Sequence, residues 1–396
     1  MNSPELNNKE QTAIVIGASH AGSQLAIHLR KSGWLGRIVL IGDEAHLPYH
    51  RPPLSKAVMS GSKNAEDIQL RPSALYDNNQ IELKLGSHVD ALLREDQRVL
   101  LSTGESLHYD RLALCTGASP IRLPLGDGLD GVFYLRSLDD VLAIRSALPD
   151  VKQAVIVGAG YIGLEAAAVL RSQGIDVTVL ERADRVLKRV TGEEVSGYFA
   201  SLHQLHGVDI RCNAEVTAIN GQGNVDSVSC ADGSKFEAQL VIIGVGVVPK
   251  TRLAQEAGLR IENGIHVDEY ARTSDEKIFA AGDCASHPSF LYQRRLRLES
   301  VQNANDQSRV AAVNMIALQE KYCAAPWFWS DQYDIKLQSA GLSQDFDQTE
   351  LEGSLNAAES QGFVLKYFRQ GQLIAADCVN RPKDFMAIKT ALAQRL

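Results

Sequence analysis

The chain has 396 residues, 45% of them hydrophobic and 22% charged, which is enough for several domains that each bury a core. Its 40 Lys and Arg against 48 Asp and Glu give a net charge of −8, which speaks against a nucleic-acid partner. The 6 scattered cysteines include no C-x-x-C pair, so no disulfide framework and no metal site are expected, and a reducing, cytoplasmic setting fits.

The polar start, Met1–Gln11, carries no leader signal. Ala13-Ile14-Val15-Ile16 then reads as a buried strand running into the turn Gly17-Ala18-Ser19-His20-Ala21-Gly22. Leu25, Ile27 and Leu29 carry a helix on to Gly33, and a second strand, Ile38-Val39-Leu40-Ile41, ends near Asp43. Short strands turn at Thr103-Gly104 before Leu112-Ala113-Leu114-Cys115-Thr116-Gly117, apolar enough for a strand covered on both faces. The same succession returns about 130 to 140 residues later, as an internal repeat. Ala154-Val155-Ile156-Val157 leads to Gly158-Ala159-Gly160-Tyr161-Ile162-Gly163, a helix bearing Leu164, Ala167, Ala168 and Leu170 ends at Gly174, and Val177-Thr178-Val179-Leu180 ends at Glu181. A turn at Asp232-Gly233 follows, and Leu240–Gly246, inside the longest apolar run, closes the second unit while falling far short of a membrane span. After residue 326 the pattern becomes antiparallel: Phe363–Phe368 and Leu373–Val379 flank a turn, and a terminal helix places Phe385, Ile388 and Leu392 on one face. The expected fold class is therefore α/β, with two Rossmann-like dinucleotide-binding domains and a C-terminal α+β domain.

The second glycine motif, Gly158, Gly160 and Gly163, is complete, sits between strand and helix, and has an acid, Glu181, about 20 residues on. Its glycines let the backbone approach a pyrophosphate at the helix N-terminus, and Glu181 can accept from a ribose 2′-hydroxyl while repelling a 2′-phosphate. NADH is thus favoured over NADPH, although Arg182 and Arg185 stand nearby. The first motif has Ser19 where the middle glycine belongs, between Gly17 and Gly22. Two copies imply two different dinucleotides, and the chemically useful pair is a flavin with a nicotinamide. Asp43 is the expected ribose acid of the first copy, with Glu44 as the fallback.

Several stretches together resemble the NADH-dependent ferredoxin and rubredoxin reductases of oxygenase systems. They are Pro48–Lys56, Tyr161-Ile162-Gly163-Leu164-Glu165, Ile278–Ala285, Glu299–Ala304 and Ala325–Tyr333. The resemblance runs from about Thr12 to Arg381, with Cys115 standing where the family's A-T-G turn has alanine. It implies the glutathione-reductase-like arrangement, in which residues 1–114 and 248–322 form an FAD-binding domain, 115–247 an NAD-binding domain and 323–396 the C-terminal domain. It places Ala21, Asp43, Lys56, Val89, Arg136, Asp283 and Val301 around FAD, with Gly17, Ser19, His20, Gly22, Arg51, Thr116, Gly117, Gly282 and Trp329 in the same cofactor set. NADH falls to Gly158, Gly160, Ile162, Gly163, Glu181 and Gly246. The catalytic groups it implies are Lys56 and Glu165, a pair near flavin N5, and Tyr161, which covers the flavin until nicotinamide displaces it. A solvated lysine and a helix-surface glutamate are the plainer alternative for that pair.

No cysteine lies between Met1 and Arg111, so no thiolate is placed to take electrons from a flavin as in disulfide reductases or NADH oxidases. The spacing of His203 and His206 suits a solvated helix better than a zinc site. The function these features imply is electron transfer from NADH through FAD to a ferredoxin or rubredoxin. The alternatives are a reductase of a quinone or monodehydroascorbate, and an NADH-binding signalling flavoprotein resembling apoptosis-inducing factor. Arg294, Arg295 and Arg297 read as an exposed basic run that could steer an acidic carrier, and Trp327 or Trp329 as lining that face or the flavin pocket. The sequence leaves the oligomeric state open.

Overall fold

A computed structural model describes residues 9–359 and 361–396. The start of the polar segment noted above, residues 1–8, lies outside the described residues. The first unit is built from β1 (Thr12–Ile16), α1 (His20–Lys31), β2 (Arg37–Ile41), β3 (Ile81–Lys84) and β4 (Arg111–Leu114). The second contains β5 (Val132–Tyr134), β6 (Gln153–Val157), α2 (Tyr161–Ser172), β7 (Asp176–Leu180), α3 (Glu193–Leu205), β8 (Asp209–Arg211) and β9 (Leu240–Ile243). The chain then returns to the first sheet with β10 (Ile278–Ala280), which pairs parallel to β4, and continues into α4 (Val301–Met315).

The strand orders are β10-β4-β1-β2-β3 and β8-β7-β6-β9-β5, both parallel. In each sheet the chain leaves the first strand of the repeat in one direction and later pairs on its other side. That reversal opens a crevice at the carboxyl ends of β1 and β6, where dinucleotides bind in such folds.

The glycines are there for steric reasons that the two halves share. Gly17 has φ +110° and Gly158 +104°, and a Cβ on them would lie 2.0 Å from the Cys115 carbonyl and 2.5 Å from that of Gly244. Gly22 and Gly163 press their helices onto the same turns, at 1.9 Å and 2.2 Å from the carbonyl oxygens of Gly17 and Gly158. Gly160 is different, because it is an extended N-cap with nothing near its Cβ position. Its counterpart Ser19 has φ −126°, which any residue adopts, so serine at the middle position breaks no rule of the backbone.

The third unit is an antiparallel sheet, β11 (Trp327–Gln332), β12 (Ile335–Gly341), β13 (Gln348–Gly353), β14 (Phe363–Arg369) and β15 (Gln372–Val379), followed by α5 (Pro382–Ala393). Its strand order is β11-β12-β15-β14-β13. Phe385, Ile388 and Leu392 pack α5 on one face of the sheet, while Phe363, Leu365 and Tyr367 join the core of the second unit. That packing overturns one expectation. His203 on α3 is fully buried, with Nε2 2.8 Å from Gln332 Oε1 and Nδ1 3.3 Å from the Tyr333 hydroxyl, and burial lowers its pKa to about 4. The third unit covers His203, while His206 remains exposed, its ring stacked on Tyr333 at 3.6 Å. Among the described residues no helix is long and apolar enough to cross a membrane.

Candidate functional site

Neither Ser19 nor Gly160 caps its helix with a side chain, so the first-turn N–H groups of α1 and α2 remain available as donors at the two crevices. Beside the first, a cleft of about 810 Å³ is lined by Gly17, Asp43, Val89, Thr116 and Lys250. Asp43 faces it and pairs with Lys250 at 3.2 Å, and the Thr116 hydroxyl donates to the Lys250 carbonyl at 2.6 Å. Glu44 is otherwise engaged: Arg51 Nη2 donates to it at 2.6 Å and the Tyr49 hydroxyl donates to its other oxygen. Asp43 is therefore the acid that presents itself to the cleft.

Arg51 ties the first turn to the return crossing. Its Nε donates to Ser19 Oγ at 3.1 Å and its Nη1 to the Arg136 carbonyl at 2.7 Å. Arg136 in turn pairs with Asp283 Oδ2 at 2.9 Å, and a Cβ on Gly117 would sit 3.9 Å from the Arg136 guanidinium. Gly282 lets this loop close on α1, since a Cβ there would fall 3.0 Å from that of Ala21. Val301 opens α4, whose N-cap Ser300 accepts from the Asn303 N–H. His20, in the first turn of α1, is buried with its ring edge-on to His50, and its Nε2 has no partner. Burial, then the charges around it, lower its pKa to about 3, so it is a neutral ring with a buried, unpartnered nitrogen beside the glycine turn, one that a hydrogen-bonding ligand would satisfy. The glycine turn, the uncapped helix start and this orphaned nitrogen fit a dinucleotide.

Lys56 and Glu165 meet at 2.7 Å, with side chains 20% and 5% exposed, so neither is the solvated surface residue of the plainer reading. Ser55 donates to Glu165 Oε2 at 2.5 Å and Ser330 to Oε1 at 2.6 Å, joining a loop of the first unit, helix α2 and strand β11. Sequence reasoning gave neither serine a role, although Ser55 lies inside the Pro48–Lys56 stretch and Ser330 inside Ala325–Tyr333. Tyr161, one turn before Glu165, stacks on Phe328 at 4.6 Å. Trp329 stands half-buried beside Phe328 and Trp327, whose ring packs against Phe385.

At the second crevice Ile162 is 41% exposed, and Glu181 accepts from the Ala159 N–H at 2.7 Å and the Ala183 N–H at 2.8 Å. The acid thus also holds the fingerprint turn. Gly246 has φ +114° and lies against the Arg189 guanidinium. Arg182 makes no ion pair among the described residues, and Arg185 donates to the carbonyls of Gly192 and Lys188.

The basic run is not the free surface it was expected to be. Arg294 is exposed, bonded to Gln344 at 2.7 Å. Arg295 instead donates to the carbonyls of Val267 and Ser286, and Arg297, only 11% exposed, pairs with Glu299 at 2.7 Å and donates to the Asp283 carbonyl. Residues 294–296 form a short strand with Leu296 buried, and Arg295 and, just beyond the strand, Arg297 reach inward to backbone carbonyls.

Two parallel dinucleotide folds meeting at a buried Lys–Glu pair define a flavoprotein that pairs FAD with a nicotinamide coenzyme. The chain belongs to the pyridine nucleotide-disulphide oxidoreductase family, whose model matches residues 11–308, and residues 327–396 match a reductase C-terminal domain. Its cofactors are FAD and NADH. It is 42% identical over 396 residues to putidaredoxin reductase of Pseudomonas putida, covering 98% of this chain and 93% of that one. A ferredoxin–NAD(P)+ reductase of a Sphingomonas species is also 42% identical, over 94% of this chain and 90% of its own. Among solved structures, that of a covalent putidaredoxin reductase–putidaredoxin complex matches with a TM-score of 0.94, at 42% identity, covering 98% of this chain and 94% of that one.

Proposed function

We propose that this chain carries electrons from NADH through FAD to a ferredoxin or rubredoxin that serves an oxygenase. When bound, FAD supplies the redox chemistry, accepting hydride from NADH and releasing electrons singly. The protein's part is binding, orientation and charge. Gly17, Ser19, His20 and the α1 N-terminus hold the pyrophosphate end of FAD, Asp43 its ribose, and Arg51, Arg136, Asp283 and Val301 the rest of its length. Gly158, Gly160, Ile162, Gly163, Glu181 and Gly246 hold NADH. Lys56 places a fixed positive charge at the flavin, kept in position by Glu165, and Tyr161 occupies the nicotinamide side until coenzyme enters. No side chain is required to move a proton. The division into residues 1–114 with 248–322, 115–247 and 323–396 belongs to the same reading.

The observation that carries this proposal is the Lys56–Glu165 pair, held by Ser55 and Ser330 at the meeting of all three units with no cysteine in its place. The thiols of Cys115 and Cys284, behind Gly17 and beside Asp283, are raised in pKa by burial, so neither offers a thiolate as an electron acceptor. With no thiolate to take them, electrons from a bound flavin would have to pass straight to a carrier. Arg294 is the exposed cation of the basic run that an acidic carrier could meet.

The test is NADH-dependent reduction of cytochrome c by the FAD-loaded protein. Fast reduction that depends on added ferredoxin or rubredoxin supports the proposal. Equal rates without a carrier, with a quinone reduced in its place, overturn it. Arg294→Glu should raise KM for ferredoxin and leave reduction of ferricyanide unchanged; parallel changes in both would remove Arg294 from the docking surface.

A further inference from the structure

The cleft of about 810 Å³ beside the first glycine turn is lined by segments far apart in sequence. Ile41 and Asp43 stand there at the end of β2, and Val248, Pro249 and Lys250 where the chain returns from the second unit. The return segment is fixed at its backbone. Residues 247–249 pair antiparallel with 118–120, the Lys250 N–H donates to the Gly117 carbonyl at 2.9 Å, and the Lys250 carbonyl accepts from Thr116. From that anchored backbone the Lys250 ammonium reaches Asp43 Oδ2 at 3.2 Å, a contact between residues 207 positions apart. Arg252, which also lines the cleft, is taken instead by Glu256 at 2.9 Å. Lys250 is thus the cation of this cleft that meets the expected ribose acid.

The pair leaves the acid able to do its work. Lys250 engages Oδ2, while Oδ1 receives no side-chain donor among the described residues, and a carboxylate accepts about four bonds in all. A ribose diol can therefore donate to Asp43 without parting it from the lysine. Side chains 44% and 50% exposed put the pair at the rim of the cleft rather than on its floor. There an ion pair fixes the carboxylate in one rotamer and joins two segments that no other side-chain bond of Asp43 connects. We propose that Lys250 is an FAD-retaining positioning residue, which ties the return segment to Asp43 and so holds the cleft closed around the adenosine end of the cofactor. This rests on the reading that Asp43 takes the ribose of FAD.

The holoenzyme tests it, through the rate at which flavin fluorescence rises as FAD is released on dilution at low ionic strength. Lys250→Met should speed release by about 2- to 5-fold, the range of an exposed ion pair, and should make the rate less sensitive to added salt. Lys250→Arg keeps the charge and should release FAD at nearly the original rate. Asp43→Asn should also speed release, and adding Lys250→Met to it should do no more, because the lysine acts through that carboxylate. A pair that only braced the fold would lower the melting temperature of Lys250→Met and leave release unchanged. A lysine that competed with the ribose would, when replaced, slow release. Either result overturns the proposal, as do additive effects in the double variant. Asp43→Asn separates the two levels. If it leaves release unchanged, the placing of Asp43 at the ribose fails and this proposal with it. If it speeds release while Lys250→Met does not, only the role of Lys250 falls.

Discussion

Replacing Lys56 by Met removes one charge from a pair 2.7 Å apart and leaves Glu165, 5% exposed, with two serine donors. Unit charges 2.7 Å apart attract by about 6 kcal/mol at an effective dielectric of about 20. Stripping one partner from a fully buried pair costs about 3 to 5 kcal/mol. Here Lys56 is 20% exposed, and both serines still bond the carboxylate, so the loss of stability should be nearer about 2 kcal/mol. That corresponds to a fall in melting temperature of about 2 °C for a chain of this size. Flavin reduction by NADH should slow on the order of tenfold as the fixed charge is lost, with FAD still bound. Combining Lys56→Met with Glu165→Gln separates the two effects, since the double variant leaves no stranded charge. It should regain most of the stability and stay as slow as Lys56→Met. Stopped-flow absorbance reads the rate and thermal unfolding the stability. A double variant that recovers both, or a single variant with an unchanged reduction rate, would refute the placing of Lys56 at the flavin.

Glu181→Ala should narrow the preference for NADH over NADPH by about 1 to 3 kcal/mol in relative kcat/KM, and should raise KM for both coenzymes because the Ala159 and Ala183 N–H groups lose their acceptor. Equal efficiency with both coenzymes in the unmodified protein would defeat the assignment of Glu181. His20, with its pKa lowered to about 3, and His203 and His287, lowered to about 4, are neutral when folded, whereas the unfolded chain binds their protons below about pH 6.5. Their contribution is complete above pH 6.5 and is lost as pH falls towards 4, each costing about 1.4 kcal/mol per pH unit in that window. Melting temperature against pH should show this slope, and His203→Gln should make it shallower; a flat profile between pH 7 and 4.5 would contradict the buried neutral rings.

The parts of the fold that the sequence reveals are those written locally. Strand, glycine turn, helix and closing acid lie within about 30 residues in each half, so period and punctuation suffice to find both crevices. The helix ends at Gly33 and Gly174 and the apolar face of α5 are legible for the same reason. His203 was not, because its burial comes from Gln332 and Tyr333, residues more than a hundred positions away. The arginine run misled in another way. Three cations close together look like a charged surface, but Arg295 and Arg297 find backbone carbonyls of other segments and Glu299.

The site itself lies between these cases. The residues of the Arg51 chain, Ser19, Glu44, Arg136 and Asp283, come from four segments; the resemblance joined Ser19, Arg51, Arg136 and Asp283, Glu44 entered only as a fallback ribose acid, and no spacing in the sequence brings them together. The third unit was harder still to read as part of the chemistry, since its strands follow an ordinary antiparallel pattern. Yet Ser330 bonds Glu165 and Phe328 underlies Tyr161. The Lys56–Glu165 pair has its full set of partners only when the helix of the second unit and the third unit are both in place against the Ser55 loop. A charge that must sit at one atom of a cofactor is better fixed by several distant segments than by one flexible loop, because each added partner removes a rotamer that would carry it away. The features that make this pair effective are thus the ones a local reading of the sequence cannot supply.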